Sequence, residues 1–289
     1  MTSLLKVDGL NKSYPIKRNL FGRAKHSFHA VKDVSFEVGR GETLGIVGET
    51  GAGKSTVGRL VLRLIEPDAG TISYDGGDLR QLSRKELRAS RSRMQMIFQD
   101  PFSSLDPRMT IGAAIAEPLR IHQRLSGGAL DKRVLEMLDR VGMRKDHVER
   151  YPREFSGGQL QRIAIARALT TEPDFIVCDE PVAALDVSIQ AQVLNLLLDL
   201  QAEHGLSYLF ISHDLSLVRF LAHRVAVMCQ GEIVETGTAE ELFAQPRHPY
   251  TRKLLSAIPQ ARPSRVSRWP AAPSARGARE LPAAAGSES

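Results

Sequence analysis

The stretch Gly48-Glu49-Thr50-Gly51-Ala52-Gly53-Lys54-Ser55-Thr56 decides the fold of this 289-residue chain. The residues before it, 43–47, form a short apolar run typical of a buried strand, and the apolar positions of residues 57–64 recur with helical spacing. Glycines let backbone N–H groups approach an anion closely, and a helix N-terminus favours negative charge. The stretch therefore predicts a phosphate-binding loop, in which Lys54 reaches the terminal phosphates and Ser55 places its hydroxyl on Mg²⁺.

Composition is that of a soluble globular protein. Hydrophobic residues make up 42% of the chain, and no apolar run approaches the ~20 residues that a membrane-spanning helix needs. The N-terminus lacks a secretory pattern, so we expect a cytoplasmic location. The net charge of +6 is dispersed along the chain and does not predict nucleic-acid binding. Cys178 and Cys229 have no metal-type spacing, and we expect buried thiols.

The N-terminal part of the chain predicts antiparallel strands. Apolar and polar residues alternate over 5–10 and 30–38, which indicates strands with one buried face. The basic, glycine-containing residues 16–28 between them are interpreted as a surface insertion. Residues 71–74 are expected to join this antiparallel part, and residues 94–98 to return to a central sheet.

The remainder predicts helices and then alternating strands and helices. Residues 101–154 contain two helical patterns, 111–119 and 130–141, and are interpreted as an inserted helical lobe. A helix over 158–169, a strand over 175–178, a helix over 187–201 and a strand over 207–212 follow in that order. Such alternation predicts an α/β fold with a largely parallel sheet covered on both faces.

A second candidate site is the pair Asp179-Glu180 at the end of the strand 175–178. Parallel strands deliver their last residues to the sheet edge where ligands bind. Asp179 is expected to hold Mg²⁺, and Glu180 to orient or deprotonate the water that attacks the γ-phosphate. Acidic residues also end buried strands for purely structural reasons, at a turn or a helix cap. We predict a functional role for this pair because the same chain contains the phosphate-binding loop.

A third candidate is Ser156-Gly157-Gly158-Gln159, which opens the helix 158–169. Ser156 is a good N-cap, and the two glycines leave the helix amides bare. The alternative interpretation is an ordinary capped helix. This would be a second anion-binding helix start in the chain, whereas one bound mononucleotide needs only one.

Together these motifs resemble ATP-binding-cassette ATPase domains over about residues 4–259. The resemblance implies a P-loop NTPase (RecA-like) core with an N-terminal antiparallel β part and an inserted α-helical subdomain, binding ATP and Mg²⁺. It implies that Glu180, His213 and Gln99 are catalytic, that Ser55, Gln99 and Asp179 hold the metal, and that Tyr14 stacks on adenine. The nucleotide-binding residues that it implies are Tyr14, Gly48, Glu49, Thr50, Gly51, Ala52, Gly53, Lys54, Ser55, Thr56, Ser156, Gly157, Gly158, Gln159 and Asp186.

In that family two cassettes sandwich two ATP molecules head to tail, and a Ser156-type loop caps the γ-phosphate held by the other subunit. Asp186 resembles the loop that crosses this interface. The chain could form a homodimer or one half of a heterodimer. In the family the helical lobe, near Gln99 and residues 109–122, receives the membrane-spanning subunits.

The stretch His248-Pro249-Tyr250-Thr251, together with residues 100–108, resembles the ATP-binding subunits of bacterial dipeptide, oligopeptide and nickel importers. This implies two permease subunits, a second ATPase subunit, an extracytoplasmic solute-binding protein, no nucleic acid, and a peripheral place on the cytoplasmic face of the inner membrane. The implied division is an ATPase domain over 1–260, with the helical subdomain at about 101–165 and an importer-type extension at about 239–260.

Residues 261–289 are expected to form a disordered basic tail. The alternatives to a peptide importer are a nickel or other solute importer, a soluble cassette ATPase acting on DNA or the ribosome, and a small-molecule kinase.

Overall fold

The computed structural model describes residues 3–18 and 24–257, which are organised by two β-sheets. The strands are β1 (Ser3–Arg18), β2 (Ala24–Gly39), β3 (Thr43–Val47), β4 (Ala69–Tyr74), β5 (Gly77–Asp78), β6 (Met94–Ile97), β7 (Phe175–Asp179), β8 (Ser207–Ser212), β9 (Arg224–Cys229) and β10 (Glu232–Thr238). The α-helices are α1 (Lys54–Val61), α2 (Arg84–Ser90), α3 (Pro101–Ser104), α4 (Ile111–Pro118), α5 (Gly127–Arg140), α6 (Gly157–Leu169), α7 (Val187–His204), α8 (Leu215–Leu221), α9 (Ala239–Ala244) and α10 (Pro249–Ser256). Short 3₁₀ turns cover Leu79–Gln81, Lys145–Glu149 and Pro152–Glu154, and a π-helical turn covers Leu119–Gln123.

The central sheet has the strand order β10-β9-β3-β8-β7-β6. Its strands pair in parallel except β10, which is antiparallel to β9. Every residue of β3, β7 and β8 is buried, as expected for strands covered on both faces. The predicted α/β fold with a largely parallel sheet is confirmed, and the strand predicted at 94–98 joins this sheet as its edge.

One face of the central sheet packs on α1 and on a second, antiparallel sheet of order β2-β1-β4-β5. Alternate residues of β1 and β2, such as Leu5, Val7 and Val34, are fully or almost fully buried in the core between the sheets. This period of two follows from the pleat of a half-covered sheet. The predicted antiparallel N-terminal part is confirmed.

The opposite face of the central sheet is covered by α7 and α8. A Cβ added to Gly45 in β3 would lie 2.4 Å from Val218 Cγ1 in α8, so the glycine allows the helix to approach closely. The Tyr208 hydroxyl in β8 donates to the Leu197 carbonyl of α7 at 2.9 Å. Helices therefore cover this face, as the alternating pattern predicted.

Much of the segment 16–28, interpreted as a surface insertion, is β-strand. Strand β1 extends into it as far as Arg18 and strand β2 runs on from Ala24, with Tyr14 opposite Phe28 and Arg18 opposite Ala24. Every residue except proline offers both a backbone N–H and a carbonyl for cross-strand hydrogen bonds, so basic residues continue a ladder that the hydrophobic pattern did not reveal. Residues 19–23 lie outside the described part of the chain.

The helical lobe is built around α6, against which α3, α4 and α5 each pack. Arg167 of α6 donates to the Ser104 carbonyl at 3.0 Å and to the Glu117 carboxylate at 2.8 Å, which ties α6 to α3 and α4. The predicted helices at 111–119 and 130–141 occur at Ile111–Pro118 and Gly127–Arg140. Among the described helices, none combines the length and apolarity required to cross a bilayer.

Several short elements were not predicted. Helix α2 is polar and only seven residues long, although Ser83 and Glu86 form the capping box that marks its start. Helices α8, α9 and α10 are also short, with six to eight residues each, and the sequence did not predict them. The tail predicted as disordered, 261–289, lies outside the described residues.

Candidate functional site

The glycine-rich loop connects β3 to α1 at the carboxyl edge of the central sheet. Helix α1 begins at Lys54, three residues before the predicted helix, because Gly53 adopts a left-handed conformation (φ 104°) at the N-cap. No side chain caps this end, and no acidic residue lies in its first turn. The amides of the first turn are therefore free to bind an anion.

Backbone from β2 and β9 encloses the loop tightly. A Cβ on Gly48 would lie 2.1 Å from the Met228 carbonyl oxygen, and one on Gly53 would lie 2.2 Å from the Ala30 carbonyl oxygen. The Gly231 N–H donates to the Ala52 carbonyl at 3.0 Å. Only glycine fits at these two loop positions. The sequence did not predict that the Met228 and Ala30 carbonyls would lie against them.

Lys54 is buried, with 4% of its side chain exposed. Its Nζ donates to the Gly48 and Glu49 carbonyls at 2.8 and 3.0 Å, and lies 3.9 Å from the Glu180 carboxylate. Burial lowers the pKa of Lys54, whereas Glu180 and Asp179 oppose that shift. The ammonium thus lies folded back on its own loop, within reach of any anion that enters it.

Ser55 and Asp179 form a pair beside Lys54. The Ser55 hydroxyl donates to Asp179 Oδ1 at 2.7 Å, and Asp179 is only 3% exposed. Burial raises the pKa of Asp179, and the Ser55 hydrogen bond partly opposes this. A hydroxyl and a carboxylate oxygen are the hard ligands that Mg²⁺ prefers, and a cation here would offset the cost of burying the charge, so this pair fits Mg²⁺.

Glu180 gathers groups from three parts of the fold. Its Oε2 accepts a hydrogen bond from Gln99 Nε2 at 3.1 Å and lies 3.1 Å from His213 Nδ1. Its backbone is left-handed (φ 48°), a conformation that non-glycine residues rarely adopt, and its N–H donates to the Ile211 carbonyl at 2.9 Å. Strain of this kind is concentrated at functional sites. The structure thus brings together Glu180, Gln99 and His213, as predicted.

The second helix start forms a separate surface. Ser156 and Gln159 make a reciprocal capping box, with the Ser156 N–H donating to Gln159 Oε1 at 3.0 Å. A Cβ on Gly158 would lie 2.3 Å from Ile189 Cγ2, so this corner packs against the segment that follows Asp186. Asp186 is exposed at the N-cap of α7. Within residues 3–18 and 24–257, no hydrogen bond or ion pair connects this corner to Lys54 or Glu180.

Tyr14 lies on the β1–β2 hairpin and is 39% exposed. The Lys12 ammonium lies 5.7 Å from the centre of its ring. Strand β2 of the same hairpin contributes the Ala30 carbonyl that adjoins Gly53. Thr50 and Gly51 are exposed at the loop tip, and Thr56 is half-buried in α1.

Two sequence families match the chain. The model of the family described as "ABC transporter" matches residues 31–183, more than half of the chain. The family described as "Oligopeptide/dipeptide transporter, C-terminal region" matches residues 234–284.

Among curated proteins, "Glutathione import ATP-binding protein GsiA" of Escherichia coli (strain K12) is 53% identical over 262 residues, covering 91% of this chain and 42% of the relative. The protein of the same name from Pectobacterium atrosepticum is 51% identical over 265 residues, covering 92% and 42%. The chain therefore spans about two fifths of the length of the curated relatives it matches.

Solved structures agree with the fold. The dimeric post-hydrolysis structure of the ATP-binding cassette MJ0796 bound to ADP and Pi has a TM-score of 0.73 at 29% identity, covering 81% of this chain and 98% of that one. The structure of cbiO1 from Clostridium perfringens has a TM-score of 0.72 at 28% identity, covering 90% and 97%. By its sequence and by its fold, this chain belongs to the ABC transporter family.

Proposed function

We propose that this chain is the ATP-binding and ATP-hydrolysing part of a bacterial importer for dipeptides, oligopeptides or similar small peptides. The observation that carries the proposal is the cluster in which Lys54, Glu180 and the Ser55–Asp179 pair lie together beneath a glycine loop with free amides. Cations, a general base and hard oxygen ligands are the groups that phosphoryl transfer to water needs.

Glu180 acts as the base. Its carboxylate accepts the proton of the water that attacks the γ-phosphorus, while Gln99 and His213, both within 3.1 Å, hold it in place. Ser55, Gln99 and Asp179 would hold Mg²⁺, which neutralises charge on the phosphates when bound. Lys54 leaves its carbonyl partners for the terminal phosphates, and the loop amides cradle the rest.

The other predicted residues bind nucleotide from the rim and from a second cassette. The exposed Tyr14 ring offers a stacking surface for adenine. The corner formed by Ser156, Gly157, Gly158 and Gln159, with Asp186 beside it, caps the γ-phosphate bound by a partner cassette. In the described part of the chain no hydrogen bond or ion pair joins this corner to Glu180, which supports a role across an interface rather than within one cassette.

A groove between the central sheet and the helical lobe suits a permease subunit. It holds a cavity of about 270 Å³ lined in part by Met96, Phe98, Pro118 and Ile121, and Phe102 nearby is 55% exposed. We propose that a permease helix docks in this groove, at the cytoplasmic face of the inner membrane, and that the second permease docks in the same way on the second ATPase subunit. A solute-binding protein delivers the cargo. The domain division, with the ATPase domain over 1–260 and the lobe at about 101–165, is part of this proposal.

Reconstitution tests the cargo. The chain is assembled with its cognate permeases and binding protein in vesicles, and ATP-dependent uptake of glutathione, a dipeptide, an oligopeptide and Ni²⁺ is measured. We expect uptake of at least one of the three peptides. Uptake of Ni²⁺ alone would contradict the peptide assignment, and ATPase activity stimulated by nucleic acid but not by permeases would contradict the importer itself.

A further inference from the structure

The C-terminal helix α10 contacts the phosphate loop. The Glu49 N–H donates a hydrogen bond of 3.1 Å to the Tyr250 hydroxyl, across 201 residues of sequence. Lys253, one turn further along α10, places its ammonium 3.9 Å from the Glu49 carboxylate. The stretch around Tyr250 was singled out in the sequence only as a mark of the importer branch, and the nucleotide chemistry did not use it.

The peptide group that Tyr250 contacts is the one that holds Lys54. The N–H of the Gly48–Glu49 peptide donates to Tyr250, and the carbonyl of the same peptide, Gly48 O, accepts from Lys54 Nζ at 2.8 Å. Hydrogen bonds at the two ends of one peptide fix its plane and polarise each other. The Tyr250 hydroxyl therefore acts on the orientation of the carbonyl that receives the Lys54 ammonium.

The start of α10, which carries Tyr250, is itself held in place. The Glu235 carboxylate in β10 accepts from the N–H groups of Arg247 and His248 at 2.8 and 3.0 Å, and His248 Nδ1 accepts from the Tyr250 N–H at 3.2 Å as the N-cap of α10. Pro249 occupies the first helical position, where its fixed φ suits the helix. This end of α10 is thus held on the central sheet before any ligand binds.

The hydroxyl is suited to a permanent hydrogen bond. Burial raises the pKa of Tyr250, the hydrogen bond from the Glu49 N–H opposes this shift, and the Glu49 carboxylate and the Cys229 thiol reinforce it. The phenol oxygen has lone pairs that accept from the Glu49 N–H in either protonation state, so the contact needs no particular protonation state.

We propose that Tyr250 is a positioning residue for the phosphate loop, which makes the C-terminal extension a structural part of the nucleotide site. It fixes the orientation of the Gly48–Glu49 peptide and so preorganises the phosphate loop, on whose Gly48 carbonyl the Lys54 ammonium rests until the terminal phosphates bind it. This inference rests on the proposed binding of ATP and extends it to a residue outside the nucleotide motifs.

The test is the Tyr250→Phe variant of the full chain, which keeps the ring and removes the hydroxyl. Loss of one such hydrogen bond is expected to weaken MgATP binding about fivefold in a fluorescence titration. Amide hydrogen exchange at Glu49 in the nucleotide-free protein should become faster by a similar factor. Because exchange is measured without nucleotide, it reports on the hydrogen bond directly.

Two control variants separate this role from general stability. Lys253→Ala removes an exposed ion pair to the same glutamate and is expected to change nucleotide affinity by less than about twofold. Tyr208→Phe removes a hydroxyl bonded to Leu197, at the other end of the sheet, and is expected to lower Tm with unchanged affinity.

The outcomes are distinct. Unchanged MgATP affinity and unchanged Glu49 exchange in Tyr250→Phe would overturn the positioning role. Equal loss of affinity in Tyr208→Phe and Tyr250→Phe would also overturn it, since both effects would then reflect stability. Failure of the unmodified chain to bind MgATP would instead contradict the proposed function. The exchange measurement would still test the hydrogen bond between Glu49 and Tyr250.

Discussion

Glu180 shows at the residue scale how the fold gathers polar groups around one carboxylate. Its side chain is 11% exposed and accepts a hydrogen bond from Gln99. His213 and Lys54 lie 3.1 and 3.9 Å from the same carboxylate, and the three residues come from separate parts of the sequence. Its left-handed backbone turns the carboxylate away from the direction that strand β7 would give it. The sequence predicted Glu180 from its place at the end of a strand and Lys54 from the glycine-rich loop, whereas Gln99 and His213 were expected only from the family resemblance. It did not predict the backbone conformation of Glu180, which depends on the Ile211 carbonyl in the neighbouring strand.

Replacing Glu180 by glutamine tests its role. Glutamine keeps the shape and removes the base, so ATP turnover should fall by about 10²–10⁴ with MgATP binding retained. Glu203→Gln, at an exposed carboxylate of α7, is the matched control and should leave turnover unchanged. Phosphate release and nucleotide titration measure the two properties, and turnover near that of the unmodified chain would remove Glu180 from its role.

Asp179 gives a prediction for stability against pH. Its pKa is raised in the folded state, so the folded chain binds this proton more tightly than the unfolded chain does. Stability is therefore lost as pH rises from the ordinary aspartate range through the raised pKa, and the penalty is full above it. Asp179→Asn avoids the penalty and can still accept from Ser55.

Thermal melts of the nucleotide-free protein between pH 4.5 and 8 should show the advantage of Asp179→Asn growing with pH. Each kcal/mol gained raises Tm by about 2–4 °C in a chain of this size. Asp199→Asn makes the same charge change at an exposed site and should show no such trend. A Tm for Asp179→Asn below that of the unmodified chain at pH 8 would contradict the account.

At the scale of elements, long apolar runs were predicted well and polar continuations were not. Strands β3, β7 and β8 are buried throughout, so composition alone marks them. The outer half of the β1–β2 hairpin is held by cross-strand hydrogen bonds, which leave no trace in the hydrophobic pattern. The close approach of Gly158 in α6 to Ile189 in α7 depends on how the two helices pack. The sequence of either helix alone does not predict it.

The start of α6 offers a test of one such approach. Gly158→Ala would place a Cβ 2.3 Å from Ile189 Cγ2 and is expected to destabilise the chain by about 1–3 kcal/mol. Gly157→Ala is the control, since its Cβ would lie 3.4 Å from the nearest side-chain atom. Chemical denaturation measures both, and the double variant Gly158→Ala, Ile189→Ala should recover part of the loss. Equal stability of the two alanine variants would show that the corner is not packed as described.

At the scale of the whole molecule, the chain carries two surfaces that we propose bind one ATP from opposite sides. The Lys54 loop and its Glu180 cluster form one, and the Ser156 corner beside Asp186 forms the other. The sequence predicted both helix starts, because a glycine-containing helix start is a local feature of the chain. In the described residues no hydrogen bond or ion pair joins the two surfaces, and this supports the proposal, first drawn from the family resemblance, that ATP joins two cassettes.

The molar mass of the Glu180→Gln variant in solution, with and without MgATP, tests this most directly. Size-exclusion chromatography with light scattering should give the mass of one protomer without nucleotide and of two cassettes with saturating MgATP, formed by the chain with itself or with a sister ATPase subunit. A mass that stays at one protomer under saturating MgATP, both alone and with the sister subunit, would contradict the account.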